Sequence, residues 1–100
     1  MKYYPVCLDV SGRRCVVIGG GEVADRKARR LIDCGAEVLV VSESLSAGLQ
    51  ALKSDGRLSH IQAGYSRDLI EGAFLVIGAT DRAEINEAVS RDAKRQGVLV

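Results

Sequence analysis

Cys15-Val16-Val17-Ile18-Gly19-Gly20-Gly21-Glu22-Val23-Ala24 is the passage from which the rest of the chain can be read. The first four residues form a short apolar run, mostly β-branched, without polar alternation, as expected of a parallel strand buried on both faces. Three glycines follow at once, and from Glu22 the periodicity changes to that of a helix, with Ala24, Ala28, Leu31 and Ile32 on one stripe and charges opposite. The spacing Gly19-x-Gly21-x-x-Ala24 assigns a task to each small residue. Gly19 permits the tight turn out of the strand, Gly21 lets backbone approach an anion, and Ala24 lets the helix pack closely on the strand. The free N–H groups and positive dipole end of the helix would then meet a pyrophosphate. A glycine turn alone is weak evidence; placed between a strand and a helix, it points to a dinucleotide, with a plain tight turn as the competing reading.

Outward from this motif the alternation continues. Gly35 ends the first helix, and Val38-Leu39-Val40-Val41 is the second strand. Ser44 is the expected N-cap of a helix carrying Leu45, Leu49 and Leu52. Asp55-Gly56 turns the chain into a weak third strand, Leu58 to Gln62. Ala73 to Ile77 is the fourth strand, ending at Gly78-Ala79-Thr80-Asp81. A helix with Ile85, Ala88, Val89 and Ala93 follows, closed by Gly97, and Val98-Leu99-Val100 opens a fifth strand. Strands alternating with helices predict an α/β fold: a Rossmann-type, doubly wound parallel sheet with helices on both faces. The stop at Val100 within an apolar run predicts truncation after the start of the fifth strand, or a strand completed by another chain. Met1 to Gly12 lies outside the alternation and is expected to pack against the sheet edge.

Composition narrows the function. One hundred residues, 47% hydrophobic and 27% charged, suit one domain, residues 1–100. A net charge of +1 argues against nucleic acid or an acidic membrane as partner. Asp9 and Arg13 interrupt any secretory pattern, and no stretch approaches the roughly 20 apolar residues of a membrane span, so a cytoplasmic protein is expected. Cys7, Cys15 and Cys34 have no metal-binding or disulfide spacing; Cys15 and Cys34 read as small buried hydrophobes.

Four further features bear on chemistry. Glu43, one position beyond the usual place of a ribose-binding acid, reads either as that acid or as a solvated loop residue. No Lys or Arg lies between Val41 and Gln50 to neutralise a 2′-phosphate, which favours NAD over NADP. Ala79 and Thr80 stand where the fourth strand opens onto the crevice; Thr80 or Asp81 also reads as a helix cap. Arg26, Lys27, Arg29 and Arg30 oppose the helix dipole, either as a solvated face or as a site attracting a polycarboxylate or the pyrophosphate. His60, the only histidine, reads as structural, and no metal ligands or catalytic residue can be named.

Tyr4-Pro5-Val6, Leu8-Asp9-Val10, Gly12-Arg13, Val17 to Ala24, Arg26-Lys27, Gly35-Ala36-Glu37-Val38, Phe74 to Asp81 and Asn86 together resemble the N-terminal domain of siroheme synthase over essentially the whole chain. The resemblance implies an NAD-dependent precorrin-2 dehydrogenase, an oxidoreductase of siroheme (porphyrin) biosynthesis, with ferrochelatase (lyase) activity in some members. It implies precorrin-2 as substrate and a homodimer in the full-length protein. It also places Glu22-Val23 and Glu43-Ser44 at cofactor-contacting positions, beside Gly19, Gly20, Gly21, Ala24, Ala79 and Thr80. The family's acidic catalytic residue is expected beyond Val100. A nucleotide-sensing regulatory domain of a potassium transport system is the alternative; such sensors place an acid where this chain has Ser42.

Overall fold

The computed structural model describes residues 2–100. The elements are β1 (Arg14–Ile18), α1 (Glu22–Asp33), β2 (Glu37–Ser42), α2 (Ala47–Ser54), β3 (Ser59–Gln62), a 3-10 turn (Arg67–Ile70), β4 (Leu75–Gly78) and α3 (Ala83–Gln96). The four strands are all parallel, in the order β3-β2-β1-β4. Central β1 is the most apolar, with Cys15, Val16 and Val17 fully buried. Alternation along the strands divides the core into two layers. Cys15, Val17, Val38 and Val40 face Ala24, Ala28 and Leu31 of α1 and Leu49 and Leu52 of α2. Val16, Ile18, Val41 and Val76 pack with Ile70, Val89 and Ala93 on the α3 side. This is the α/β architecture expected, with helices on both faces.

Two helix ends follow directly from glycine. Beyond α1, Gly35 takes φ +83°, while Gly35 N–H reaches Ile32 O and Ala36 N–H reaches Leu31 O. Beyond α3, Gly97 at φ +71° lets Val98 N–H bond Ala93 O at 2.8 Å. Both satisfy carbonyls that the helix leaves unpaired.

Several local expectations are corrected. The cap of α2 is Ser46, whose hydroxyl accepts from Leu49 N–H at 3.2 Å, and not Ser44. The reason is tertiary: Ser46 N–H donates to Gly20 O at 2.7 Å, holding the loop against the glycine turn so that the helix starts two residues later. The N-cap of α3 is Arg82, without a side-chain cap bond, and neither Thr80 nor Asp81. Cys34 is exposed, because it occupies the cap of α1 on the solvent side, whereas Cys15 is buried. The leader does not pack on the sheet edge: Tyr3, Tyr4, Val6 and Leu8 are exposed and, of its described residues, only Val10 enters the core. Pro5 withholds a ladder donor from this stretch. Met1 lies outside the described residues. The expected fifth strand is a single parallel bridge, Leu75 to Leu99, with Val76 N–H donating to Leu99 O at 2.8 Å on the outer edge of β4.

Candidate functional site

The chain leaves β1 toward β2 and β3 on one side and returns to β4 on the other, which opens a crevice at the carboxyl ends of the strands. A cleft of about 820 Å³ lies there, within the range of small-molecule and cofactor sites. Its walls are Gly19 to Val23 after β1, Ser42 at the end of β2 with Glu43 to Ser46 after it, Ala63 to Tyr65 after β3, and Ala79 to Arg82 with Ile85 after β4. Of the positions singled out in the sequence, Gly19, Gly20, Gly21, Glu22, Val23, Glu43, Ser44, Ala79 and Thr80 all line it. Ala24 does not. It is fully buried in the α1-side core, in keeping with a packing task.

The three glycines are small for different reasons. Gly19 has φ +140°, and a Cβ there would overlap the Ala79 carbonyl, so the turns after β1 and β4 touch backbone to backbone. A Cβ on Gly20 would run into Ser44 O and lie 2.8 Å from Ser42 Oγ. Gly21 is unlike both: a Cβ there would meet nothing within 4 Å. The protein itself does not require a glycine at that position. Gly21 is also the N-cap of α1 and has no side chain with which to satisfy the first N–H groups, leaving a positive, donor-rich helix end facing the cleft. A pyrophosphate fits this arrangement of open backbone and free donors.

Across the cleft, Asn86 of α3 fixes Thr80. Asn86 Oδ1 accepts from Thr80 N–H at 3.1 Å and from Thr80 Oγ1 at 2.8 Å, and Asn86 Nδ2 donates to Thr80 O at 3.0 Å. Thr80 Oγ1 also accepts from Arg82 N–H at 3.2 Å. The post-β4 turn is thereby held in one conformation, half-buried, with the hydroxyl engaged in its own frame. At the other wall, Gln62 Nε2 donates to Glu43 O at 3.3 Å and Ala63 N–H to Ser42 O at 3.1 Å. These bonds draw the post-β3 loop over the end of β2. His60 Nε2 lies 3.0 Å from Ser42 O and 3.1 Å from Ser42 Oγ. The carbonyl can only accept, so this nitrogen carries the proton and ties β3 to β2, outside the cleft lining.

Charge in the cleft differs from the sequence expectation. Arg26, Lys27, Arg29 and Arg30 do not line it; they project from the solvent face of α1, and Arg29 pairs with Asp25. The cleft instead holds Glu22, Glu43, Asp81 and one cation, Arg82, which pairs with Glu84 at 2.7 Å. Sequence reading missed Arg82, Ser46, Ile85 and the Ala63 to Tyr65 wall. Arg82 had a signal, since it directly follows the Thr80-Asp81 segment, and so had Ile85, in the first turn of the helix that comes next; Tyr65 had none. Its hydroxyl donates to Asp92 Oδ2 at 2.7 Å, and burial first, then this bond, push that hydroxyl well above its ordinary value near 10. Among the described residues, no group of three or more His, Cys, Asp or Glu side chains gathers at metal-binding distance. No helix among the described residues is long and apolar enough to cross a membrane.

Comparison with known proteins agrees with this geometry. Residues 6–100 match the family model described as "Putative NAD(P)-binding". Siroheme synthases are similar over the whole chain: 43% identity for that of Chromobacterium violaceum, 43% for Nitrosococcus oceani and 41% for Methylobacillus flagellatus. The chain spans 21% of the length of each of these relatives. Among solved structures, SirC, precorrin-2 dehydrogenase, superposes with a TM-score of 0.79 at 27% identity, covering 97% of this chain and 48% of that one. The PH0520 protein from Pyrococcus horikoshii OT3 shares the fold, with a TM-score of 0.61 at 16% identity, over 96% of this chain and 35% of its own. With all but its first five residues matched by the family model and the glycine cleft in place, the chain belongs to this NAD(P)-binding family.

Proposed function

We propose that this chain is the NAD-binding part of a precorrin-2 dehydrogenase that forms sirohydrochlorin on the way to siroheme. The observation that carries the reading is Gly21, a glycine that nothing in the protein demands, opening onto the cleft at the free end of α1. Its neighbours take complementary parts. The α1 N–H groups hold the pyrophosphate, Glu43 and Ser44 flank the adenine ribose, and Ala79 with Thr80 forms the opposite wall. When bound, NAD+ supplies the hydride acceptor: a hydride leaves the macrocycle, a proton is lost to solvent, and NADH and sirohydrochlorin remain. The Asn86 clamp keeps the Thr80 wall rigid, so that the ring bearing the reactive carbon is held in one place.

NAD is favoured over NADP because the wall after β2 offers Ser42, Glu43 and Ser44 and no cation, and the Glu43 carboxylate would repel a 2′-phosphate. The siroheme synthase relatives support the dehydrogenase over a nucleotide sensor. In this reading residues 1–100 are one domain of a longer cytoplasmic homodimer, acting on a tetrapyrrole and on neither nucleic acid nor membrane. The test is to supply the longer protein with precorrin-2 and NAD+. Equal amounts of NADH and sirohydrochlorin are expected, and loss of both in a Gly21→Val variant. Unchanged precorrin-2, with NAD+ demonstrably bound, would refute the substrate assignment.

A further inference from the structure

Tyr65 is the only aromatic side chain lining the cleft among the described residues. It follows β3, and the parallel register Ser42 to Gln62 sets that loop beside the one after β2, where Glu43 and Ser44 stand. The ring is not free to swing. Its hydroxyl donates to Asp92 on α3, a carboxylate only 13% exposed, and the ring packs on the same core layer as Ile85. Tyr65 and Ile85 therefore bound the cleft from two elements, one the loop after β3 and the other the first turn of α3, above Ile18 and Val41. Tyr65 thereby gives the cleft one flat, tethered aromatic face beside the end of β2, with Ile85 contributing apolar surface from the α3 side.

We infer that Tyr65 and Ile85 form the slot that takes the adenine ring of the cofactor, with Tyr65 stacking on the base and Asp92 positioning Tyr65. This rests on the NAD reading above and adds to it which residues hold the base. The assignment of ends follows from connectivity. The ribose beside Glu43 carries the base nearest the post-β3 loop, and a neutral planar purine suits an apolar slot closed by an aromatic face. The nicotinamide end must stay open to a second reactant, and Tyr65 with Ile85 closes the side that need not admit one.

The test uses isotope-labelled protein with unlabelled NAD+ and ADP-ribose, observed by NMR, beside calorimetry of variants whose folding is checked by circular dichroism. Nuclear Overhauser contacts are expected between the Tyr65 ring protons and adenine H2 or H8. Tyr65→Leu should weaken NAD+ and ADP-ribose alike by about tenfold, from lost stacking, and leave nicotinamide mononucleotide unaffected. Tyr65→Phe, which keeps the ring, should lose only about threefold, and Asp92→Asn, which keeps an acceptor, less still. Bound NAD+ without adenine contacts at Tyr65, or a folded Tyr65→Leu variant with wild-type affinity, would overturn the slot and leave the NAD reading standing. Failure of the wild-type protein to bind NAD+ would overturn both. Should Tyr65→Leu not fold, the contacts in the wild-type protein decide the matter alone.

Discussion

Alanine placed at Gly20 or at Gly21 is the same chemical change on adjacent residues, yet opposite consequences are expected. At Gly20 the new Cβ would enter the shell of the Ser44 carbonyl oxygen and lie 2.8 Å from Ser42 Oγ and 2.9 Å from Ser42 Cβ. Ser44 O is backbone, in a loop already pinned by the bond from Ser46 N–H to Gly20 O. It cannot rotate aside as a side chain would, so the cost should fall at the upper end of the overpacking range, about 3 kcal/mol. For a domain of 100 residues, the unfolding entropy is about 0.2 kcal/mol per degree, so Tm should drop by about 15 °C. At Gly21 the methyl would meet nothing within 4 Å. Alanine is a poorer N-cap than glycine, by up to about 1 kcal/mol. It also restricts the unfolded chain, a gain of about 0.4–1 kcal/mol. The two nearly cancel, and Tm should move by less than about 5 °C. NAD+ affinity should nonetheless fall at least about tenfold, because the methyl stands where backbone must approach the pyrophosphate. Thermal unfolding by circular dichroism and calorimetric titration of both variants measure this. Equal melting shifts at the two positions, or undiminished NAD+ binding by Gly21→Ala, would refute the division of labour between the glycines.

Other expectations follow from the same contacts. Asn86→Ala removes three hydrogen bonds to Thr80 and should cost about 1–3 kcal/mol, seen as a lower midpoint in urea and weaker NAD+ binding; wild-type values would show that the clamp is idle. Tyr65 has a folded pKa raised above its ordinary value near 10. Its contribution is therefore complete below pH 10 and is lost as pH rises beyond it, so urea stability should decline there more steeply in wild type than in Tyr65→Phe. A thiol reagent should modify exposed Cys7 and Cys34 in the native protein and buried Cys15 only on unfolding, as counted by mass spectrometry. Charge reversal at Arg26, Lys27 and Arg30 should change NAD+ affinity by less than about threefold at physiological salt, since none lines the cleft; a larger loss would restore them as cofactor-attracting residues.

What the sequence made legible is what local pattern encodes. The unbroken apolar run before Gly19 marked β1, the stripe Ala24, Ala28, Leu31 marked the buried face of α1, and Gly35 and Gly97 marked helix ends through their left-handed geometry. Nine cleft residues were reachable because the loops after β1, β2 and β4 carry small or polar residues directly after apolar runs. What escaped depends on contacts between distant segments. The cap fell at Ser46 and not Ser44 because Gly20, far back in the chain, holds the loop. Gly20 looked like the free middle position of the motif, although Ser44 makes it obligatory. Tyr65 gains its place from Asp92, 27 residues onward, a pairing that no periodicity announces. The basic residues of α1 stood out by number, but the helix turns them toward solvent because its other face is needed for the core. The leader was expected on the sheet edge, yet its apolar residues Tyr3, Tyr4, Val6 and Leu8 stay exposed.

The central claim, that the cleft at the free end of α1 holds NAD through Gly21, is tested most directly by calorimetric titration of the protein with NAD+, NADP+ and ATP beside a Gly21→Val variant. The account predicts NAD+ binding that exceeds NADP+ and ATP binding and disappears in the variant. Tight ATP binding with none for NAD+, or NAD+ binding that survives Gly21→Val, would contradict it.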